Sequence, residues 1–176
     1  YGRNSTAGAI NIVTAKPRFD NEGSAEVTYG NYDYWRLVGG LTGPIIEDTL
    51  AYRVDGVFTK RTGFLEDVIS GRKVNGRDRW LLRGQLLYTP NDDLEIRLSG
   101  DYTKRNEECC ANTYLPFGMA FRDASGNVQT TANNPVVDII RGLGGVISDD
   151  TFARQTSLTP GRSHRSDVKD WGLSAE

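Results

Sequence analysis

The chain has few of the residues on which catalysis and metal binding usually depend. His164 is its single histidine, and its two cysteines, Cys109 and Cys110, are adjacent, so the ligand spacing of a zinc site is absent. No Ser/His/Asp order occurs, and the turn-like stretch GRNSTAG lacks the Gly-Lys-Ser/Thr ending of a phosphate-binding loop. We therefore expect no enzyme and no metal or cofactor, and we interpret His164 as a solvated loop residue.

Long apolar runs and an excess of positive charge are also absent. No stretch of eighteen apolar residues exists, which excludes a membrane-spanning helix. The 21 Lys and Arg against 23 Asp and Glu give a net charge of −2, so we expect no nucleic-acid partner. The mean hydropathy of −0.49 is typical of a soluble protein, but alternating strands of a transmembrane barrel give a similar average. The chain begins at Tyr1 and stops at Glu176 within an alternating run, which predicts a fragment cut at both ends.

The most informative stretch of the sequence is its first seventeen residues, YGRNSTAGAINIVTAKP. Residues 1–8 are small and polar and predict a tight loop. Residues 9–14 alternate and predict a short strand, which Pro17 ends because proline cannot donate to a strand ladder. The stretch resembles the C-terminal end of the plug domain of TonB-dependent outer-membrane receptors, where a pattern such as YGR-N-x-x-G-G-A-I-N-I-V-T-K-x-P precedes the barrel. Ala7 and Ala15 stand where that family has glycine and lysine.

The resemblance implies an all-β chain in two parts. Residues 1–17 would end the plug domain, and residues 18–176 would form the first five to six strands of a large antiparallel transmembrane β-barrel, about 22 strands when complete. The residues that match the plug motif are Tyr1, Gly2, Arg3, Asn4, Gly8 and Asn11.

The resemblance also implies a function. It places the protein in the outer membrane of a Gram-negative bacterium, in contact with lipid, where it takes up a scarce extracellular ligand. Energy would come from an inner-membrane complex that acts on the plug through TonB. The usual cargo of the family is an iron–siderophore complex, and oligosaccharides or cobalamin are the alternatives. The competing interpretation is a soluble β-rich binding or adhesion module without transport.

Five segments after Pro17 alternate as half-buried strands do, and a sixth begins near the C-terminus. Their apolar sets contain no charged residue, which is the pattern that lipid-facing strands require. The sets are Ala25, Val27 and Tyr29; Trp35, Leu37, Gly39 and Leu41; Leu50, Tyr52, Val54, Gly56 and Phe58; Trp80, Leu82, Gly84, Leu86 and Tyr88; Leu94, Ile96, Leu98, Gly100 and Tyr102; and Trp171, Leu173 and Ala175.

The interleaved positions carry charge. On a barrel wall they would face a hydrated lumen and meet the plug through hydrogen bonds and ion pairs. These lumen-facing residues are Glu26, Arg36, Arg53, Asp55, Arg83, Glu95, Arg97 and Asp101.

Aromatic residues and connection lengths predict the topology. Amphipathic rings collect at the two bilayer interfaces, and outer-membrane barrels have short periplasmic turns and long extracellular loops. Residues 43–48 and 90–93 are short connections, so Ile46 and Asp92 are expected in the periplasm. Residues 60–78 and 103–167 are long and are expected outside. The upper ring is Tyr29, Trp35, Phe58, Trp80, Tyr102 and Trp171, and the lower ring is Tyr52 and Tyr88.

The long region at residues 103–167 is where ligand contacts of this chain are expected. The candidate substrate-binding residues are Tyr114, Phe117, Phe121 and Arg122, although packing of the loop on itself is the favoured explanation of the aromatic rings. Residues 122–128 predict a hairpin turn. Asn134 as N-cap, followed by Pro135, predicts a short helix that stops at Gly142 or Gly144.

Cys109 and Cys110 are the disulfide candidates. In an exported protein, adjacent cysteines suggest a bridge either to each other or to absent parts of the chain. An even count within the chain favours the bridge between neighbours. Two free thiols packed in the loop are the remaining alternative.

Overall fold

The computed structural model describes residues 13–114, 118, 120–130, 134–148, 150–158 and 165–176. The described part is mostly β, with one α-helix, and no helix in it is long and apolar enough to cross a membrane. The elements are β1 (Glu22–Gly30), β2 (Tyr34–Ile46), β3 (Leu50–Arg61), β4 (Leu65–Asp67), β5 (Lys73–Val74), β6 (Arg77–Asn91), β7 (Leu94–Glu108), β8 (Ala120–Arg122), β9 (Val128–Thr130), α1 (Pro135–Gly142), a 3-10 turn (Thr151–Ala153), β10 (Gln155–Thr156) and β11 (Arg165–Ala175).

Six long strands form one antiparallel sheet in the order β1-β2-β3-β6-β7-β11. The all-β prediction is therefore confirmed. Within the described residues the sheet is open, with β1 and β11 as its two edges. We call the end of the long strands that is followed by residues 62–76 and by Cys109 the loop end of the sheet. The opposite end, where turns join β2 to β3 and β6 to β7, is its turn end.

Tight turns join the strands because a few residues accept a left-handed backbone. Asp48, with φ of 53°, turns the chain between β2 and β3, and Tyr32 and Asp33 do the same between β1 and β2. Between β6 and β7 the Asn91 side chain accepts a hydrogen bond from the Asp93 amide at 3.1 Å. Asn and Asp favour such turns because their side chains bond to the nearby backbone.

The strands are longer than the sequence predicts. β2 continues through residues 43–46, with a register shift between Pro44 and Ile46, so only residues 47–49 connect it to β3. β7 continues to Glu108 because β11 begins at Arg165 and pairs with it there. Residues 104–108 and 165–170 are mostly charged or polar, so backbone pairing extends these strands where no apolar alternation marks them.

The two regions predicted as long loops, residues 60–78 and 103–167, contain regular structure in their described parts. β4 pairs with β5 and β10 in a small sheet, and β8 pairs with β9. The predicted hairpin at residues 122–128 and the helix capped by Asn134 are both present, and the Asn134 side chain accepts from the Val136 amide at 3.1 Å. The buried cluster of Leu65, Val74 and Ala111 is formed by residues of these two regions and includes no residue of the long sheet.

Candidate functional site: two faces of one sheet

The strand register gathers the predicted apolar sets on one face of the long sheet, which we call the apolar face. Leu41 opposes Val54, Val54 opposes Gly84, Gly84 opposes Gly100, and Gly100 opposes Leu173. Large side chains on this face are open to the surroundings and include Val27, Leu37, Leu41, Val54, Leu82, Leu86, Leu98 and Leu173, the last of which is 79% exposed. No charged residue interrupts the predicted sets across six strands.

Aromatic rings mark the loop end of the apolar face along a diagonal. The rings occur as cross-strand pairs, Tyr29 with Trp35, Phe58 with Trp80, and Tyr102 with Trp171. Each pair lies two residues further from the loop end than the preceding pair, because Phe58 is level with Leu37 and Tyr102 is level with Leu82. The aromatic boundary therefore crosses the strands obliquely, by two residues for every two strands.

Charge appears on this same face only beyond the aromatic boundary. Lys60 opposes Asp78, and this pair lies two residues nearer the loop end than Phe58 and Trp80. Lys104 opposes Lys169, two residues nearer the loop end than Tyr102 and Trp171. Lys104 is also level with Trp80, so a boundary drawn straight across the sheet would place it inside the apolar region. The diagonal boundary separates charged from uncharged positions on every strand that carries them.

The other face carries the eight charged residues that the sequence analysis selected, and we call it the charged face. Each is ion-paired: Arg53 with Asp55 at 2.7 Å, Arg83 with Asp101 at 4.0 Å, Arg36 with Glu26, Glu95 with Lys16 at 2.6 Å, and Arg97 with Glu176. Three polar atoms on this face, Arg83 Nε, Gln85 Oε1 and Arg97 Nη1, are buried without a hydrogen-bond partner among the described residues.

The segment before β1, residues 13–21, lies against the charged face. The Gln85 side chain donates to the Ala15 carbonyl at 3.0 Å, and the Arg18 amide donates to the Thr42 hydroxyl at 2.8 Å. Gln85 and Thr42 are buried as a result. Residues 13–14 have no strand structure, so the predicted strand at 9–14 is not found in its described part. The plug-motif residues Tyr1, Gly2, Arg3, Asn4, Gly8 and Asn11 lie outside the described residues, as does His164.

The four candidate ligand residues do not form one site within the described structure. Tyr114 lines a cavity of about 310 Å³ together with Ile69, Ile140, Leu143 and Leu158. Arg122 is not in that lining, and it donates instead to the Gly126 carbonyl of its own hairpin at 2.7 Å. Phe121 contributes backbone pairing to β8, and Phe117 lies outside the described residues.

Sequence reasoning missed Asp67, whose carboxylate joins two distant parts of the loop end. Asp67 is 2% exposed and accepts hydrogen bonds from the amides of Ser70, at 3.1 Å, and Leu158, at 3.0 Å, and from the Ser70 hydroxyl. Burial acts to raise the pKa of Asp67, but the hydrogen bonds from Ser70, Leu158 and Ile69 outweigh it and hold the pKa below its ordinary value. The Asp-x-x-Ser spacing signals the local turn, whereas nothing in the sequence indicates Leu158.

Cys109 and Cys110 form a disulfide with each other immediately after β7. The adjoining backbone is also held, because the Asn75 side chain donates to the Ala111 carbonyl at 2.7 Å and accepts from the Ala111 amide at 3.0 Å. The bridge therefore lies at a fixed point, where the long strand ends and the loop region begins.

We expect both cysteines to be oxidised in the mature protein. Intact-mass analysis of the unreduced full-length protein after alkylation should show neither cysteine modified, because the two sulfur atoms are bonded to each other. The same sample alkylated after reduction is the control and should gain two labels. Quantitative alkylation of both residues before reduction would contradict the prediction.

Comparison with known proteins adds no assignment. No protein-family model matches the chain, and no solved structure is significantly similar to it. The two faces of the sheet and their boundaries therefore carry the functional argument.

Proposed function

We propose that the long sheet is part of the wall of an outer-membrane barrel in a TonB-dependent transporter. The observation that carries the proposal is the uncharged, exposed apolar face that extends across six strands. Soluble monomers rarely leave apolar patches larger than a few hundred Å² in contact with water. A bilayer is the environment in which such a face is stable, because lipid chains cover it without any protein partner.

The dimensions of the apolar face fit a bilayer. On β6 the aromatic positions Trp80 and Tyr88 enclose nine residues, within the length of about 9–11 that a tilted transmembrane strand needs. Eight steps of about 3.4 Å give about 27 Å along the strand. Inclined by about 35°, this strand spans about 22 Å, close to the apolar band of about 25 Å in outer-membrane barrels.

The diagonal boundary supplies that inclination. A shift of two residues is about 6.8 Å along a strand, and two strands are about 9.6 Å wide, so the boundary makes an angle of about 35° with the perpendicular to the strands. Transmembrane barrel strands are tilted by about 35–45° from the membrane normal. If the aromatic rings lie at one bilayer interface, the strands therefore have the tilt that a barrel requires.

The charged face fits the interior of such a wall. Its ion pairs neutralise one another in a hydrated lumen, and the segment at residues 13–21 lies on this face. The resemblance of the preceding residues to the end of a plug domain then gives the transport role. Ligand bound outside would be taken up with energy delivered through TonB, and an iron–siderophore complex is the favoured cargo.

The alternative of a soluble binding module needs a second layer on the apolar face. A sandwich core usually has its large aromatic side chains in the middle of the strands, where they pack against the other layer. Here the middle of the apolar face carries Gly39, Gly56, Gly84 and Gly100, and the aromatic rings lie at the two boundaries of this face. This distribution favours lipid over a protein layer.

Accessibility of single cysteines on intact cells tests the membrane topology. In full-length protein without the native cysteine pair, we expect Ser125→Cys to react with a membrane-impermeant thiol reagent and Asp92→Cys not to react. Ser125 is exposed in the β8–β9 hairpin at the loop end, and Asp92 is exposed in the β6–β7 turn. Gly71, between β4 and β5 at the loop end, is a poorer position for the cysteine, because its φ of 70° disfavours any residue with a side chain.

Permeabilised cells provide the control, since both cysteines should then react. Labelling of Asp92→Cys but not Ser125→Cys on intact cells would invert the topology. Recovery of the full-length protein in the soluble fraction would refute the membrane assignment and favour the soluble module.

Growth under iron limitation tests the transport role separately. We expect a deletion strain to grow more slowly than its parent on medium whose iron is held by the cognate siderophore, and to match it when iron is plentiful. A strain lacking TonB should show the same defect. Equal growth of deletion and parent strains in iron-limited medium would contradict iron uptake without affecting the membrane assignment.

A further inference from the structure

Arginines oppose one another on the charged face at its loop end. Arg61 on β3 is directly opposite Arg77 on β6, and Arg79 on β6 is directly opposite Arg105 on β7. Arg77 and Arg79 are two residues apart on one strand, so all four side chains start from the same face. Like charges placed directly opposite each other in a sheet are destabilising. Two such pairs side by side therefore need a negative partner.

The described residues supply little of that negative charge. Glu107 pairs with Arg79 and is itself buried. The Arg61 guanidinium donates to the Asn75 carbonyl at 2.8 Å and lies 5.1 Å from the Phe64 ring centre, while its Nε is buried without a partner among the described residues.

Arg77 and Arg105 make no hydrogen bond and no close ion pair among the described residues, although the positive charge of Arg105 acts on the carboxylate of Glu107. Both are exposed. Their guanidinium groups are therefore open to a ligand.

The remaining residues of this chain cannot balance the cluster. Asp149 is the one acidic residue outside the described ranges, whereas those residues include Arg3 and Arg162. On β11, Asp170 is on the same face, but it opposes Thr103, which is two residues nearer the turn end than Arg105. Within this sequence, arginines therefore outnumber carboxylates at the loop end of the charged face.

We propose that Arg61, Arg77, Arg79 and Arg105 form a binding site for a small anion that carries several oxygen atoms, of the carboxylate or phosphate class. Guanidinium groups bind such anions through paired, charge-assisted hydrogen bonds. The inference rests on the proposed function for the route of the ligand, since the loop end of the charged face would be the outer mouth of the lumen. The site would select negatively charged cargo before it meets the segment at residues 13–21.

Calorimetric titration of the purified full-length protein in detergent tests the site with a defined probe. The probe is propane-1,2,3-tricarboxylate, its neutral trimethyl ester is the uncharged control, and inorganic phosphate is the second anion. We expect the tricarboxylate to bind, the ester not to bind, and the affinity to fall as salt is raised. Arg77→Gln and Arg105→Gln should each weaken tricarboxylate binding about tenfold or more, because each removes a charged hydrogen-bond donor.

Arg53→Gln is the control variant. It removes an arginine from the same face near the turn end, where Arg53 is paired with Asp55, and it should change the affinity less than about twofold. Phosphate binding with the same dependence on Arg77 and Arg105 assigns the site to oxyanions in general, and tricarboxylate binding alone assigns it to carboxylates. Equal loss in all three variants, or binding of the ester, would overturn the proposal.

Thermal stability without ligand separates a binding role from a structural one. Arg105→Gln should change the melting temperature of the ligand-free protein little, because it removes both the repulsion with Arg79 and the attraction to Glu107, and it should reduce the stabilisation by the anion. A lower melting temperature together with unchanged anion affinity would overturn the proposal. Neither measurement requires transport, so failure of this site leaves the labelling and growth experiments unaffected, and failure of those experiments leaves this one interpretable.

Discussion

Leu98→Arg is expected to lower the free energy of unfolding of the full-length protein in lipid vesicles by about 2–4 kcal/mol. Leu98 is on the apolar face, 48% exposed, between Leu86 on one side and Ala175 on the other. An arginine there would have to leave its charge in the hydrocarbon or distort the bilayer around it. Denaturant titration followed by tryptophan fluorescence would measure the change.

Ser174→Arg is the matched control for Leu98→Arg. Ser174 is on the opposite face, exposed, and only its hydroxyl contact with Ser99, at 2.8 Å, is lost. Ser99 itself is a poorer control because it is buried. We expect the control to cost much less than Leu98→Arg, and equal costs for both variants would contradict the assignment of the faces.

Asp67→Ala is expected to lower the free energy of local opening at the loop end by about 1.5–3 kcal/mol, the usual contribution of hydrogen bonds to a charged group. The change leaves the amides of Ser70 and Leu158 without their acceptor in a buried position. Native-state hydrogen exchange should show faster exchange at Leu158 and Val68, while the long sheet retains its protection. Glu66→Ala, an exposed neighbour, is the control, and unchanged exchange at Leu158 in Asp67→Ala would contradict the prediction.

The same contact predicts a dependence on pH. Because the pKa of Asp67 is held below its ordinary value of 3.8, the ionised carboxylate stabilises the folded loop fully above that value. The stabilisation is lost as the pH falls through the lower, folded-state pKa and protonates the group. Exchange at Leu158 should therefore accelerate in strong acid in the natural protein, and Asp67→Ala should remove this part of the acid sensitivity.

Alternation made the faces of the long sheet predictable from sequence. Val27, Leu41 and Leu98 differ in kind from their neighbours Glu26, Thr42 and Arg97, and a period of two residues leaves only one assignment of faces. The strand ends were harder to predict. Residues 104–108 pair through the backbone with residues 165–169, and polar side chains on both carry no periodic signal.

The loop end shows why the remaining contacts could not be predicted. The helix cap at Asn134 and the hairpin at residues 122–128 depend on residues close in sequence, and short-range turn chemistry identifies them. The contact between Asp67 and Leu158, and the opposed arginines Arg79 and Arg105, depend on register and on chain paths that no local pattern encodes.

In the proposed barrel, the slant of the aromatic boundary also sets how much of the circumference each strand occupies. A strand inclined by about 35° occupies about 5.9 Å of circumference instead of about 4.8 Å. The six strands described above then cover about 35 Å of perimeter. A ring of about 22 strands with the same slant has a circumference of about 130 Å and a diameter of about 40 Å between strand axes. Side chains alone cannot fill a tube of that width, so such a ring could hold a folded domain inside it.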